Sequence, residues 1–126
     1  MMIAFDTWLP QIVDYCGFIL DDEKLRRTWI GRNFSETSVT NFDELCEQIF
    51  DDLDADNLVV VFSSKLQKSD GLQASIMEFL SSLHAVEFVC ALDQKPKDVQ
   101  MLLDSAQWRR VRSAALSVLN MGVGTL

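Results

Sequence analysis

Residues 41–54 constrain what this chain can fold into more than any other stretch. Asn41-Phe42-Asp43-Glu44 has the spacing of a capping box, in which the Asn41 side chain accepts from the Glu44 amide and Glu44 reaches back. Phe42, Leu45, Cys46, Ile49, Phe50 and Leu53 then recur three and four residues apart. That spacing predicts one apolar stripe on a helix of about three turns. The opposite face carries Asp43, Glu47, Asp51 and Asp54, flanked by Glu44, Gln48 and Asp52. Like charges one turn apart cost about 0.2–0.5 kcal/mol per pair in an isolated helix. Asp51, Asp52 and Asp54 also lie toward the helix C-terminus, where the macrodipole disfavours anions. A face built this way gives up local stability to hold carboxylates, which marks it for binding.

Around this helix the chain alternates patterned elements with short connections. Trp8, Leu9, Ile12, Val13, Cys16 and Ile19 or Leu20 describe one face of a helix over 6–20, with Pro10 in its first turn and Gly17 weakening it. Asp21-Asp22-Glu23 caps a second helix holding Leu25, Trp29 and Ile30, which Gly31 ends. Residues 31–40 read as a loop with room for a short edge strand. Leu58-Val59-Val60-Val61-Phe62 is a continuous, β-branched apolar run suited to a strand buried on both faces, and 86–92 is a second. Between them Ser69 or Asp70 caps a helix with Leu72, Ile76, Phe79, Leu80 and Leu83 at core spacing. Strand, helix, strand predicts a right-handed βαβ unit. Pro96 opens a helix with Val99, Leu102 and Leu103. A last helix over 105–120 turns Trp108, Val111, Ala115, Val118 and Leu119 inward and Arg109, Arg110 and Arg112 outward, with Gly122 and Gly124 at a frayed end. No linker or repeat divides the chain. The expected fold is a single small α/β domain over 1–126, helix-rich, with a βαβ unit and a small sheet.

Hydrophobic residues make up 48% of the chain and charged residues 24%, a balance that favours a packed core over disorder. The net charge is −8 and unevenly placed: residues 1–60 carry −9 and the remainder +1. Such a field repels a phosphate backbone, which speaks against direct nucleic-acid binding, and attracts a basic protein. A surface that is acidic only for solubility is the plainer alternative. No run approaches ~18 apolar residues, so no membrane span is expected. The start has no basic region followed by a long apolar core, and Cys16, Cys46 and Cys90 are odd in number, far apart and within apolar stretches. Both point to a cytoplasmic protein with reduced, buried thiols.

Catalytic groups are few. His84 is the sole histidine and reads as a helix-terminal residue favouring the negative end of the dipole. A Cys–His or Ser–His pair needs partners close only in space, but all three cysteines fall on inferred core positions, where a thiol is inert. There is no Cys-x-x-Cys and no second histidine for a zinc set. Residues 52–57 resemble the start of a calcium loop, yet Asn57 stands where glycine is needed and Ser63 where a bidentate glutamate is needed. Lys65 and Lys68 read as solvated loop lysines, and Trp8, Trp29 and Trp108 as core residues. No cofactor and no metal are expected.

Trp29-Ile30-Gly31, Glu36-Thr37-Ser38-Val39 and Phe42-Asp43-Glu44-Leu45 running into Gln48-Ile49-Phe50-Asp51-Asp52-Leu53-Asp54 resemble one group of immunity proteins. These belong to bacterial contact-dependent growth inhibition systems, and the likeness covers about residues 25–55. It implies a non-enzymatic cytoplasmic protein that binds the C-terminal domain of a cognate toxin, often a nuclease. An acidic face suits a basic partner of that kind. The expected binding residues are Asp43, Glu44, Glu47, Asp51, Asp52, Asp54 and Asp56. Two other classes compete with this one. An acidic adaptor or effector chaperone would bind its partner through apolar surface, and a small enzyme would need a perturbed carboxylate pair in a pocket.

Overall fold

The structure, a computed structural model, describes residues 3–35, 37–89 and 96–123. Its elements are α1 (Phe5–Leu20), α2 (Asp22–Trp29), α3 (Phe42–Cys46) running directly into a π-helical segment (Glu47–Asp52), α4 (Ala55–Val61), α5 (Ser63–Leu66), α6 (Leu72–Val89), α7 (Pro96–Leu103) and α8 (Ala106–Val123). Local sequence accounts for several of the starts. The Asp21 carboxylate accepts from the Lys24 N–H at 3.2 Å and opens α2. Asn41 Oδ1 accepts from the Glu44 N–H at 2.7 Å and opens α3. Ser105 Oγ accepts from the Trp108 N–H at 3.2 Å and opens α8. Pro10 is the sixth residue of α1, in its second turn and not in its first as expected.

The expected α/β fold is wrong: all regular structure among the described residues is helical, with no strand and no βαβ unit. The run taken for the first strand is the body of α4 and the residue that follows it. Its buried positions are Leu58, Val59 and Phe62, while Val60 and Val61 stand 60% and 48% exposed. Burial at i, i+1 and i+4 is the period of a helix, whereas a strand would alternate. The run taken for the second strand begins inside α6, where Val86 continues the buried series Leu72, Ile76, Phe79, Leu80 and Leu83. Cys90, Ala91 and Leu92, the rest of that expected strand, lie outside the described residues. A short apolar run does not distinguish a buried strand from a buried stretch of helix by periodicity, and the β-branched valines tip the reading the wrong way. The 31–40 loop forms no edge strand among its described residues. It is pinned instead by buried Val39, whose carbonyl accepts from Trp29 Nε1 at 3.0 Å.

Helix α8 is the element on which both α1 and α6 pack most extensively. The pairings run in opposite directions. Gly122 near the end of α8 sits against Val13 of α1, and Arg112 reaches Asp22 just beyond α1. Met121 meets Ser75 near the start of α6, while Arg110 reaches Glu78 further along. Gly122 is therefore not a frayed end but a packed position: a Cβ there would lie 2.8 Å from Val13 Cγ2. Gly124 is outside the described residues. One continuous core runs through the molecule, and Trp8, Trp29 and Trp108 are all in it. Trp29, Phe42 and Trp108 pack ring against ring, and the buried Trp108 Nε1–H has no hydrogen-bond partner among the described residues. No helix among these residues is long and apolar enough to cross a membrane.

Candidate protein-binding face

The acidic stretch is built on the change of pitch between α3 and the π-helical segment. The Leu53 N–H donates to the Gln48 carbonyl at 3.0 Å, five residues back, so this segment is wider than an α-helix. Gln48 turns inward as a result and is buried beside Ile49. Its Oε1 accepts from the Tyr15 hydroxyl at 2.8 Å, and its Nε2 donates to Glu44 Oε1 at 2.9 Å and to the Ser38 carbonyl at 3.3 Å. A buried amide with both ends bonded fixes the register of the turn. Trp8 Nε1 donates to the Leu53 carbonyl at 3.0 Å and closes the far end. Asp54 then takes a left-handed backbone (φ 47°, ψ 45°), which breaks the helix and redirects the chain into α4.

This geometry separates the seven expected binding residues. Asp43, Glu47 and Asp51 line one open depression of about 280 Å³, together with Cys46, Phe50 and Glu87. Glu44 is half-buried and engaged with Gln48 in place of the expected return bond to the cap. Asp52 is exposed but does not line the depression; it stands near Tyr15, where its charge helps to raise the phenol pKa. Asp54, at the left-handed break, accepts from Asn57 Nδ2 at 3.0 Å and is not on the helix face at all. Asp56 belongs to the first turn of α4 and faces His84.

His84, Glu87 and Phe50 adjoin the candidate site and were not singled out for it by sequence patterning. His84 lies inside α6, with Nε2 2.8 Å from Asp56 Oδ2 and Nδ1 3.0 Å from Glu87 Oε1. A ring protonated on both nitrogens donates to both carboxylates, while a neutral ring has one N–H and satisfies one of them. The imidazole stacks on Phe50, ring centroids 4.1 Å apart and planes 21° from parallel. Phe50 is accordingly half-buried at the rim of the core. The spacing of His84 and Glu87, three residues apart, carried the one available signal. Reading 86–92 as a strand concealed it.

On the other side of the stack is a second depression, about 260 Å³, between α4 and α6. Val59, Val60, Met77 and Leu80 make it largely apolar, with Asp56, Ser81 and His84 at its margin. Val60 and Met77 remain about half exposed or more.

The basic residues are mostly engaged elsewhere. Arg26 bridges Asp22 at 2.9 Å and Asp104 at 2.7 Å, Arg110 pairs with Glu78 at 2.8 Å, and Arg112 lies 3.8 Å from Asp22. Among the described residues Glu47, Asp51 and Asp52 have no ion-pair partner. Burial pushes the Cys16 thiol far above its ordinary range, and Cys46 likewise, with Glu87 and Asp43 adding to it. Neither is a nucleophile in this state. Burial, then the charges of Asp52, Glu44 and Asp14, raise the Tyr15 phenol. No group of three or more histidine, cysteine, aspartate or glutamate side chains among the described residues could hold a metal ion. No protein-family model, curated protein or solved structure matches this chain.

Proposed function

We propose that this chain is a cytoplasmic, non-enzymatic inhibitor of the immunity type, which neutralises a basic toxin domain by seating that domain's cationic side chains on its acidic face. The observation that carries the reading is the convergence of Asp43, Glu47, Asp51 and Glu87, from α6 and from the α3–π segment, on one open depression, where Glu47 and Asp51 have no ion-pair partner among the described residues. Carboxylates from a single helix are a solvated face. Carboxylates brought together from α6 and from the α3–π segment, which the Asp56–His84–Glu87 link helps to hold, concentrate a negative potential at one point. That potential speeds association with a basic partner and matches it in charge at the interface.

A toxin-bearing reading frame directly upstream of this chain's gene is expected, and co-expression with the protein it encodes tests the reading; a metabolic operon there would count against it. The native chain is expected to restore growth, and Glu47→Lys/Asp51→Lys/Glu87→Lys to fail while remaining folded. Full rescue by the triple variant would sink the reading. The exposed apolar residues Val60 and Met77 favour a second reading, an adaptor that binds through apolar surface. Its complex would survive high salt, whereas the inhibitor complex weakens as salt screens the charges.

A further inference from the structure

We propose that His84 is the moving part of a proton-operated latch. Its doubly protonated ring ties Asp56 of α4 to Glu87 of α6 across the face of Phe50, and loss of one proton lets one of those ties go. The ring lies between two carboxylates, with Nε2 2.8 Å from Asp56 Oδ2 and Nδ1 3.0 Å from Glu87 Oε1. A carboxylate oxygen offers only lone pairs, so each contact needs a proton between its two atoms. A neutral imidazole supplies one N–H. The second carboxylate would then face a bare nitrogen lone pair at hydrogen-bond distance, which is repulsive, and its side chain would have to leave. Moving the second proton onto a carboxyl group does not change the count. The closed latch holds two protons, whichever atoms carry them.

The surroundings favour the closed, cationic form. The imidazole stacks on Phe50 with centroids 4.1 Å apart, and the face of an aromatic ring attracts a cation. From the α3–π segment, Asp43, Glu47 and Asp51 line the depression that Phe50 and Glu87 share, and burial keeps the Cys46 thiol there neutral. From α4 the facing group is Asp56. Further round α6, Arg110 of α8 is drawn to Glu78 at 2.8 Å and reaches Ser81 Oγ at 3.5 Å. One side chain thereby joins three elements distant in sequence, and α4 packs on both of the others. His84, Asp56 and Glu87 are all partly exposed, and ion pairs of that kind are individually weak. The latch therefore governs local opening of α4, not global unfolding. While it is closed Glu87 carries a counter-charge, so the acidic depression shows its full negative charge only when the latch opens. None of this depends on what binds there.

His84 is the sole histidine, so its ring nitrogens can be followed without ambiguity in labelled protein from pH ~5 to ~9. The His84 ring, the Phe50 ring and the side-chain carboxyl carbons of Asp56 and Glu87 are expected to titrate together, with one midpoint. Amides of α4 should exchange with deuterium about two- to threefold faster above that midpoint than below it, once the intrinsic pH dependence is divided out with His84→Gln. Asp56→Asn, an exposed change, should free α4 from the titration while Glu87 continues to follow the ring. A ring that titrates with no movement of Asp56, Glu87 or Phe50 would overturn the latch. So would α4 exchange with the same pH dependence in the native chain, His84→Gln and Asp56→Asn, or a ring that stays neutral across the whole range.

Discussion

Replacing Gly17 by alanine should stabilise this protein, and replacing Gly122 by alanine should do the reverse. Both glycines lie inside helices, α1 and α8, where glycine costs about 0.5–1 kcal/mol relative to alanine through the backbone entropy of the unfolded chain. They differ in what surrounds them. A Cβ built on Gly17 meets nothing within 4 Å, so the whole entropic gain is available and no packing term opposes it. Gly17 is close to the end of α1, which places the expected gain near 0.5–0.8 kcal/mol, or roughly 2–4 °C in Tm for a chain of this length. A Cβ on Gly122 would come within 2.8 Å of Val13 Cγ2. Val13 is buried and β-branched, so its side chain cannot swing aside, and forced contacts of this kind cost about 1–3 kcal/mol. The net effect is a loss of about 0.5–2 kcal/mol. Thermal and urea unfolding followed by circular dichroism would measure both, and a Val13→Ala background should relieve most of the Gly122→Ala penalty. A lower Tm for Gly17→Ala, or no coupling between positions 13 and 122, would refute the packing of α1 on α8 described above.

Other outcomes follow from the acidic face and its supports. Glu47→Gln/Asp51→Asn/Asp52→Asn should raise Tm at low ionic strength by removing unpaired like charges near a helix end, and the gain should shrink toward zero in 1 M salt. Asp54→Gly should stabilise by about 1 kcal/mol, since glycine adopts the left-handed backbone at φ 47° without the steric cost that an L side chain bears. The Tyr15 pKa is raised on folding from an ordinary 10.0, so the native state holds that proton more tightly. Its contribution is complete below pH ~10 and lost as pH rises through the higher folded value. Tyr15→Phe should flatten the alkaline limb of a Tm–pH profile while costing about 1–3 kcal/mol at neutral pH, because Gln48 Oε1 is left buried without its donor. In a Cys90→Ser background no thiol should react with an aromatic disulfide reagent at pH 8 until denaturant is added; rapid labelling would contradict the burial of Cys16 and Cys46.

Periodicity was informative wherever a helix had one clear buried face. Trp8 through Ile19, Phe42 through Leu53 apart from half-buried Phe50, and Leu72 through Leu83 are buried at the positions their spacing implies. It failed at Leu58–Phe62 and at 86–89, because the sequence runs 58–62 and 88–92 each hold five apolar residues in succession and contain no period to read. That error propagated to the site. Once 86–92 is taken as a strand, Glu87 has no geometric relation to His84, and neither can be placed beside Phe50 or Asp56. The alternation of Asp43, Glu47 and Asp51 was legible because it depends on neighbours in sequence. The departure of Asp54 was not, because a π-helical turn and a left-handed residue are fixed by tertiary contacts such as Tyr15 to Gln48 and Trp8 to Leu53.

The antiparallel seating of α1 and α6 on α8 has a consequence for how the molecule comes into being. During vectorial synthesis the residues of α8 leave the ribosome after both of the helices they cover. Until they do, the faces of α1 and α6 that pack on α8 have no α8 to cover them. Helical proteins usually fold quickly because their contacts are local, but the meeting of Val13 with Gly122 closes nearly the whole described chain into one loop. Nascent chains paused before Trp108 should therefore be sticky and protease-sensitive. Release of the last helix would then act as the trigger for a single, cooperative collapse.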